Sequence, residues 1–171
     1  RGKHDNYSDR YTGAFVGLYN NSVQAEVAPF PKPQDMGQHQ ETRWAALTNL
    51  RGAGAVFVGA EPLSVAALPY KAIDMTLAGH PYQLPESDGV YLQLNTGTTG
   101  LGGNSCGPRP LLRDRCFAGA HNFGFVIRPA KSNLAEVANV VANGEKPLAI
   151  SRTKVGIVSI SSGYTNADIY Y

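Results

Sequence analysis

Apolar and polar residues alternate along much of this chain, and turn-forming residues separate the alternating segments. Alternation with a period of two indicates a half-buried β-strand, because successive side chains of a strand point to opposite faces. Asn20-Asn21 is a two-residue break suited to a hairpin, and a second turn is predicted from Asn49 to Gly52. The pattern predicts strands over residues 14–19, 22–27, 41–48, 54–59, 90–95 and 120–127. Short strands separated by Gly, Pro and Asn turns predict an all-β fold, an antiparallel β-sandwich or barrel.

Two segments have helical spacing instead. Residues 72–78 predict a short helix that ends before a turn at His80-Pro81. Residues 132–141 predict a clearer helix, because Ser132 is a candidate N-cap and Asn143-Gly144 ends the run. The apolar residues that share one face of this helix are Leu134, Val137, Ala138 and Val141.

The second helix predicts a boundary between two modules. Residues 1–130 are expected to form the first domain, residues 131–146 a helical linker, and residues 147–171 the start of an appended small β-sandwich. Strands are predicted in this tail over residues 154–160 and 167–171. Two strands cannot bury a core of their own, so the tail either packs on the first domain or is poorly ordered. The N-terminus has neither a start methionine nor a signal peptide, and we expect the chain to be a piece of a longer one.

The segment Gly-Leu-Gly-Gly-Asn-Ser-Cys-Gly-Pro, residues 100–108, interrupts the strand pattern. Four glycines and a proline in nine positions disfavour both helix and strand, because glycine is costly to order and proline lacks an N–H donor. Such a segment predicts a shaped loop with exposed backbone amides, a construction that often serves binding. A plain connection between strands is an equally weighted interpretation of its composition.

Composition narrows the class of protein. Hydrophobic residues make up 43% of the 171 residues and charged residues 16%, which predicts a globular chain. The net charge of +2 gives no electrostatic basis for binding nucleic acid, and no apolar run is long enough to span a membrane. Two cysteines, Cys106 and Cys116, are too few for a disulfide framework, and free thiols are favoured over a pair.

The residues that carry chemistry do not form a recognisable catalytic set. No acidic residue has an evident acid–base partner, and the default role of each is a turn, a cap or a salt bridge. The four histidines lack metal-ligand spacing, and Cys106 is more easily interpreted as an inert or substrate-lining thiol than as a nucleophile. Trp44 is favoured as a core residue over a sugar-stacking one. The residues therefore predict a β-sandwich with one shaped loop and no self-contained active site.

Four motifs, taken in order, resemble the C-terminal small-chain domain of the β-galactosidases of glycoside hydrolase family two. The opening Arg-Gly-Lys-His-Asp-Asn-Tyr-Ser-Asp-Arg, residues 1–10, resembles that family's Arg-Gly-Pro-x-Glu-Asn-Tyr-x-Asp-Arg stretch. The other three motifs are Pro-Gln-Asp-Met-Gly with Thr-Arg-Trp (residues 33–37 and 42–44), His-Pro-Tyr-Gln-Leu-Pro (residues 80–85) and the glycine-rich loop. The resemblance runs from Arg1 to about Pro129.

The resemblance implies part of a large antiparallel sandwich of the galactose-mutarotase-like kind, a supersandwich with one or two short helices. It also implies that the catalytic glutamates and the magnesium site belong to a separate barrel domain, so that this piece has no catalytic residue and no cofactor of its own. By the same match Asn104, Ser105 and Cys106 line the galactoside pocket. The sequence departs from the motifs at Lys3, Asp5, Asp35 and Met36, and Cys106 stands where some members carry a sugar-stacking tryptophan.

The resemblance thus predicts a fragment of a β-galactosidase that hydrolyses terminal β-D-galactosides with retention. The expected partners are the barrel domain of the parent chain and the galactoside substrate. We expect the fragment alone to be inactive and to self-associate, because severing a sandwich exposes apolar faces and strand edges. The alternative is an autonomous carbohydrate-binding module, while a mutarotase-like enzyme rests on fold analogy alone.

Overall fold

The computed structural model describes residues 1–102, 106–130, 133–142, 148–152 and 158–161. The strands are β1 (His39–Thr48), β2 (Gly54–Leu68), β3 (Tyr91–Asn95), β4 (His121–Pro129), β5 (Leu148–Arg152) and β6 (Val158–Ser161). The helices are α1 (Ala72–Leu77) and α2 (Leu134–Ala142), with 3₁₀ turns at Val23–Glu26, Pro81–Gln83 and Leu112–Asp114. The predicted all-β fold with two short helices is confirmed.

The strands of the described residues belong to one sheet in the order β1-β2-β4-β5-β6, with β3 beside part of β2. The pairings of β2 with β3 and β4, of β4 with β5 and of β5 with β6 are antiparallel. Ala55 to Gly59 of β2 pair with β4, whereas Ser64 to Leu68 pair with β3. Pro62 lies between these two pairings, where its missing N–H removes no hydrogen bond to β3 or β4. The second sheet of the predicted sandwich, and the supersandwich, stay predictions.

The chain divides into two compact units. Unit 1 consists of Arg1–Glu41 and Ser64–Cys116, and unit 2 consists of Thr42–Leu63 and the described residues from Phe117 onward. These limits differ from the domain limits predicted at residues 130 and 146. The predicted division into a first domain, a helical linker and an appended module stays a prediction.

Unit 2 has an apolar core between its strands and α2. Its buried members are Val56, Val58, Val126 and Ala138, and the partly buried residues packed against them include Trp44, Leu134 and Val137. The predicted apolar face of α2 is therefore confirmed at Leu134, Val137 and Ala138, while the side chain of Val141 lies outside the described part. The predicted N-cap Ser132 also lies outside it, and the side chain that accepts the Glu136 N–H, at 3.2 Å, is that of Asn133.

Unit 1 has an apolar cluster of its own, to which α1 contributes one residue. Met36, Leu68 and Met75 are its buried members. The Lys32 ammonium donates to the carbonyl oxygens of Thr76 and Ala78, at 3.3 and 3.1 Å, and so satisfies backbone acceptors at the end of α1.

The hairpin predicted over residues 14–27 is wrong. Residues 14–20 have no regular structure, and the second predicted strand is replaced by the 3₁₀ turn Val23–Glu26. The Ser22 hydroxyl accepts the Ala25 N–H at 3.2 Å and so caps this turn. In a β-strand the same N–H would instead be available to bond with a neighbouring strand. Phe15 and Leu18 are 80% and 77% exposed, and the alternation here therefore buries no face.

The tail was expected to begin a new module. Leu148 to Arg152, the whole of β5, pair with Phe125 to His121 of β4, and β6 pairs in turn with β5. The predicted strand over residues 154–160 overlaps β6 only at its end, and residues 153–157 and the predicted strand 167–171 lie outside the described residues.

Candidate functional site

The base of the glycine-rich loop is closed by hydrogen bonds between its two ends. The Gly100 N–H donates to the Asp114 carbonyl oxygen at 2.6 Å, and the Cys116 N–H donates to the Thr99 hydroxyl at 3.0 Å. The Ser8 hydroxyl lies 3.1 Å from the Asp114 carbonyl oxygen and can donate to it. The two ends of the loop are therefore held next to each other within unit 1, as a shaped loop requires.

A carboxylate holds the first residues of the loop. Asp9 accepts the N–H of Leu101 on Oδ1 at 3.1 Å and the N–H of Gly102 on Oδ2 at 2.7 Å. A Cβ on Gly100 would lie 2.6 Å from the Asp9 Cγ, so a side chain there would displace the carboxylate. Gly102 has φ +58°, and a Cβ there would lie 2.6 Å from Cδ of Pro110 on the returning limb. Both glycines are therefore required by close approach, and Gly102 also by its backbone conformation.

A buried polar network leads from the base of the loop into unit 1. The Gln40 amide donates to the hydroxyls of Thr98 (2.6 Å) and Ser64 (3.0 Å). The Ser64 hydroxyl donates to Gln38 Oε1 at 2.8 Å, and Gln38 Nε2 donates to Gln93 Oε1 at 2.8 Å. Gln38, Gln40 and Ser64 are buried. Because each polar group has a directed partner, the network fixes β1, β2 and β3 in relation to the start of the loop.

The N-terminal motif is tied into the same network. The Asn6 side chain accepts the Gln40 N–H at 3.0 Å, and the Asn6 N–H donates to the Gln38 carbonyl oxygen at 2.7 Å. The hydroxyl of the buried Tyr7 donates to Asp35 Oδ2 at 3.0 Å. Burial and the nearby Asp35 charge raise the pKa of Tyr7 far above its usual range, so Tyr7 stays a neutral donor. Two motifs that lie far apart in the sequence are thus joined here.

A partly buried ion pair lies beside this network. His39 Nε2 is 3.0 Å from Glu26 Oε2. Burial disfavours both charges, but the hydrogen bond and the attraction between the two groups outweigh it. The pKa of His39 is therefore raised, and the pKa of Glu26 is lowered.

The structure describes one of the three predicted sugar-contacting residues. Cys106 is exposed and its thiol is free, as is that of Cys116, which confirms the preference for free thiols. Asn104 and Ser105 lie outside the described residues. Trp44 packs against the apolar core of unit 2, which confirms it as a core residue.

The scattered carboxylates only partly have the default roles that the sequence predicts: three form salt bridges, whereas Asp9 and Asp35 accept hydrogen bonds from residues far away in the sequence. Each of these five residues has a partner within the chain. These five are Asp5, Asp9, Asp35, Asp88 and Asp114. Within the part of the chain that is described, no group of three or more His, Cys, Asp or Glu residues is placed to hold a metal ion. None of the helices in that part has the length and apolar character needed to cross a bilayer.

Sequence reasoning missed the residues that hold the loop. Asp9 was given only a default role, and Asn6, Gln38 and Gln40 were given none. One signal was present: Gln38 and Gln40 are two residues apart, so both point to the same face of an extended segment. Two glutamine side chains on one face of a strand indicate that this face packs against polar groups, whereas a buried strand face is usually apolar.

Comparison with known proteins identifies the family. The family model described as "Beta galactosidase small chain" matches residues 1–127. The chain belongs to the β-galactosidase small chain family. The match includes all of unit 1, and therefore both the polar network and the loop that it supports.

Curated relatives of this small chain are called β-galactosidases. The chain is 39% identical over 104 residues to the one from Priestia megaterium, a match that covers 61% of this chain and 10% of the relative. It is 33% identical over 113 residues to that of an Arthrobacter species, and 28% identical over 131 residues to that of Streptococcus thermophilus. These two matches cover 63% and 75% of this chain, and 11% and 13% of the relatives. The chain thus spans about a tenth of the length of its curated relatives, and corresponds to one part of a larger polypeptide.

Proposed function

We propose that this small chain is a scaffold and pocket-wall domain of a β-galactosidase that hydrolyses terminal β-D-galactosides. The observation that carries the proposal is the closed base of the glycine-rich loop, because a pocket wall must present its residues at fixed positions. Asn104, Ser105 and Cys106 are the proposed substrate contacts. The much longer relatives that are named β-galactosidases support the proposal.

The chemistry is proposed to lie on another domain of the parent chain. Retaining glycoside hydrolysis needs a nucleophile and an acid–base carboxylate that flank one scissile bond. Asp5, Asp9, Asp35 and Asp114 each form an ion pair or accept a hydrogen bond within this chain. The family resemblance implies that the two glutamates and the magnesium ion belong to the barrel domain, which is the proposed partner of this chain.

The test compares this chain with the full-length parent enzyme on a chromogenic galactoside. We expect no turnover from the purified chain alone, and turnover from the parent. In the parent, Asn104→Ala is expected to raise KM about threefold to tenfold, the loss of one hydrogen bond to substrate. Leu50→Ala, which truncates an exposed side chain, is the matched control and should leave KM unchanged. Turnover by the chain alone, surviving rigorous purification, would show that catalytic groups lie within it.

A second candidate, an autonomous carbohydrate-binding module, is favoured by one exposed aromatic pair. The His80 and Tyr82 rings stack with centroids 5.4 Å apart, and Tyr82 is 81% exposed. Gln83 beside it lines an open groove of about 270 Å³. Aromatic faces next to amide groups suit sugar rings. Lactose titration of the chain, followed by NMR, separates the candidates: saturable shifts at sub-millimolar sugar support the module, and none support the scaffold.

Self-association of the isolated chain is also proposed. Phe15, Val16 and Leu18 are exposed apolar side chains in one short segment, which makes them candidates for contact with a second copy. Light scattering across a concentration series checks this, and a strict monomer at high concentration would contradict it. The triple variant with serine at these positions should shift the chain toward monomer.

A further inference from the structure

We propose that Asp9 is a positioning residue for the sugar site: its carboxylate holds the first limb of the glycine-rich loop in the shape that substrate contact requires. The inference rests on the proposed function for the identity of the substrate, a β-galactoside. The contact between Asp9 and the loop stands independently of it. Within the described residues, the two hydrogen bonds that Asp9 accepts come from backbone amides, so we propose that it acts through the loop and not on the sugar.

The geometry is that of a two-pronged clamp. Each carboxylate oxygen takes a different amide, that of Leu101 at 3.1 Å and that of Gly102 at 2.7 Å. Hydrogen bonds to an ionised acceptor are roughly twice as strong as neutral ones. Two such bonds from one rigid group fix the direction of consecutive peptide planes, which a single bond would leave free to rotate.

The close approach of the loop to this carboxylate depends on Gly100. Gly100 is buried, and a Cβ there would lie 2.6 to 2.8 Å from the Asp9 side chain. The backbone of the loop can approach the carboxylate only because Gly100 has no side chain. Substitution of Asp9 or of Gly100 should therefore weaken the same contact between the carboxylate and the loop backbone.

Asp9 is more than a support for unit 1. Its neighbour Ser8 already contacts the base of the loop at Thr98 and Asp114, and Gln40 bonds to Thr98 from within the network. The base is thus held without Asp9. The carboxylate adds contacts beyond it, at Leu101 and Gly102, which directly precede the proposed sugar contacts in the sequence.

The clamp itself is tested on this chain without any sugar. Asp9→Asn keeps the size of the side chain but removes the charge and one acceptor. We expect amide hydrogen exchange at Leu101 and Gly102 to rise at least about tenfold, the loss of a charge-assisted bond, with upfield shifts of both amide protons. Exchange at Gln40, whose amide bonds to Asn6, should be unchanged. The matched control is Asp5→Asn, which removes a carboxylate that pairs with Arg10. Unchanged exchange at both loop amides would overturn the inference.

The positioning role is tested in the full-length enzyme. Asp9→Asn and Gly100→Ala should each raise KM for a β-galactoside about fivefold to tenfold and change kcat less than about twofold, because binding is lost while the catalytic groups are untouched. The double variant should be no worse than either single one, since both open one clamp. Gly97→Ala, whose Cβ would meet nothing closer than 3.9 Å, is the control for adding a methyl group.

Two results would overturn the positioning role. One is a KM for Asp9→Asn equal to that of Asp5→Asn; the other is additive effects in the double variant. A parent enzyme without galactosidase turnover would instead overturn the proposed function and the substrate named here, while the exchange measurement would still decide whether Asp9 holds the loop.

Discussion

Unit 1 buries polar as well as apolar side chains, whereas the buried side chains of the unit 2 core are apolar. The buried side chains of the unit 2 core are Val56, Val58, Val126 and Ala138, all of them apolar. The buried polar side chains of the described residues, in contrast, are all in unit 1: Asn6, Gln38, Gln40 and Ser64. In the described part, every buried side-chain nitrogen and oxygen has a hydrogen-bond partner.

The difference indicates what each unit is for. An apolar core needs side chains of the right volume and tolerates many combinations. A buried polar network requires each donor and acceptor to be in hydrogen-bonding geometry, and a network that meets this requirement specifies one arrangement of the core. The network lies where the glycine-rich loop begins, so the unit with the more demanding interior is the one that supports the proposed sugar site. The next three experiments test this contrast.

Gln38→Met should have the largest effect, because it fills the same volume with an apolar chain. Gln38 loses its hydrogen bonds to Gln93 and Ser64, so the buried Ser64 hydroxyl, which still accepts from Gln40, loses its acceptor, and the half-buried Gln93 side chain loses a donor. We expect the free energy of unfolding to fall by about 3 kcal/mol, from one to three for each unsatisfied group. Urea unfolding measures it.

The matched control is Leu63→Met in unit 2, which puts the same side chain at an equally buried position. Leucine and methionine have similar volumes, so the loss there should be below about 1.5 kcal/mol. Equal losses at the two positions would mean that the polar interior is no more demanding than the apolar one.

Trp44→Ala should have an intermediate effect and should act through the apolar core alone. Trp44 is partly buried against Val56 and its neighbours, so we expect a loss of about 2 kcal/mol, below the range for a fully buried tryptophan. Trp44→Phe keeps most of the contact and serves as control. A stable Trp44→Ala chain with weakened lactose binding would instead assign Trp44 to a sugar site.

His39→Gln should have the smallest effect, and that effect should depend on pH. The raised pKa of His39 gives stability that is full below its unfolded value near 6.5 and is lost as the pH rises through the higher folded value. The lowered pKa of Glu26 gives stability that is full above its unfolded value near 4.5 and is lost as the pH falls through the lower folded value.

The pair therefore stabilises unit 1 most between these two values. Thermal unfolding at several pH values should show wild type ahead of His39→Gln by about 1 kcal/mol near pH 5.5, with a smaller difference at pH 8. Asn21→Ala, which removes a hydrogen bond from an uncharged donor to the Glu26 carboxylate, is the control and should lower stability by a similar amount at both pH values, because Glu26 is ionised at both. A difference for His39→Gln that is constant with pH would rule out the ion pair as its cause.

Much of the sheet could be predicted from the sequence. Strands β1, β3 and β4, and the first part of β2, follow the alternating segments closely. The turn between β1 and β2 has the predicted chemistry: the Asn49 side chain accepts the Arg51 and Ala53 N–H groups, and Gly52 has φ +78°. The residues within each of these elements determine its structure, so the elements can be predicted from short segments of the sequence.

The failures are places where local chemistry was incomplete. The far end of β2 was missed because Gly59 and Pro62 normally end a strand, whereas here a second partner, β3, continues the pairing after them. The hairpin over residues 14–27 failed because alternation was interpreted without knowing whether a face would be buried. Asp9 was missed because its partners lie 92 and 93 residues away in sequence and are backbone amides, which no motif records.

The closed base of the loop has a consequence for protein engineering. At the base of the loop, Gly100 lies close against Asp9 and Gly102 lies close against Pro110, whereas Cys106 is exposed. We therefore expect substitutions at Cys106 to change the stability of the chain by less than about 0.5 kcal/mol, as is usual for an exposed position. Under the proposed function, selectivity for the sugar can then be varied at Cys106 while Asp9, Gly100 and Pro110 are kept constant.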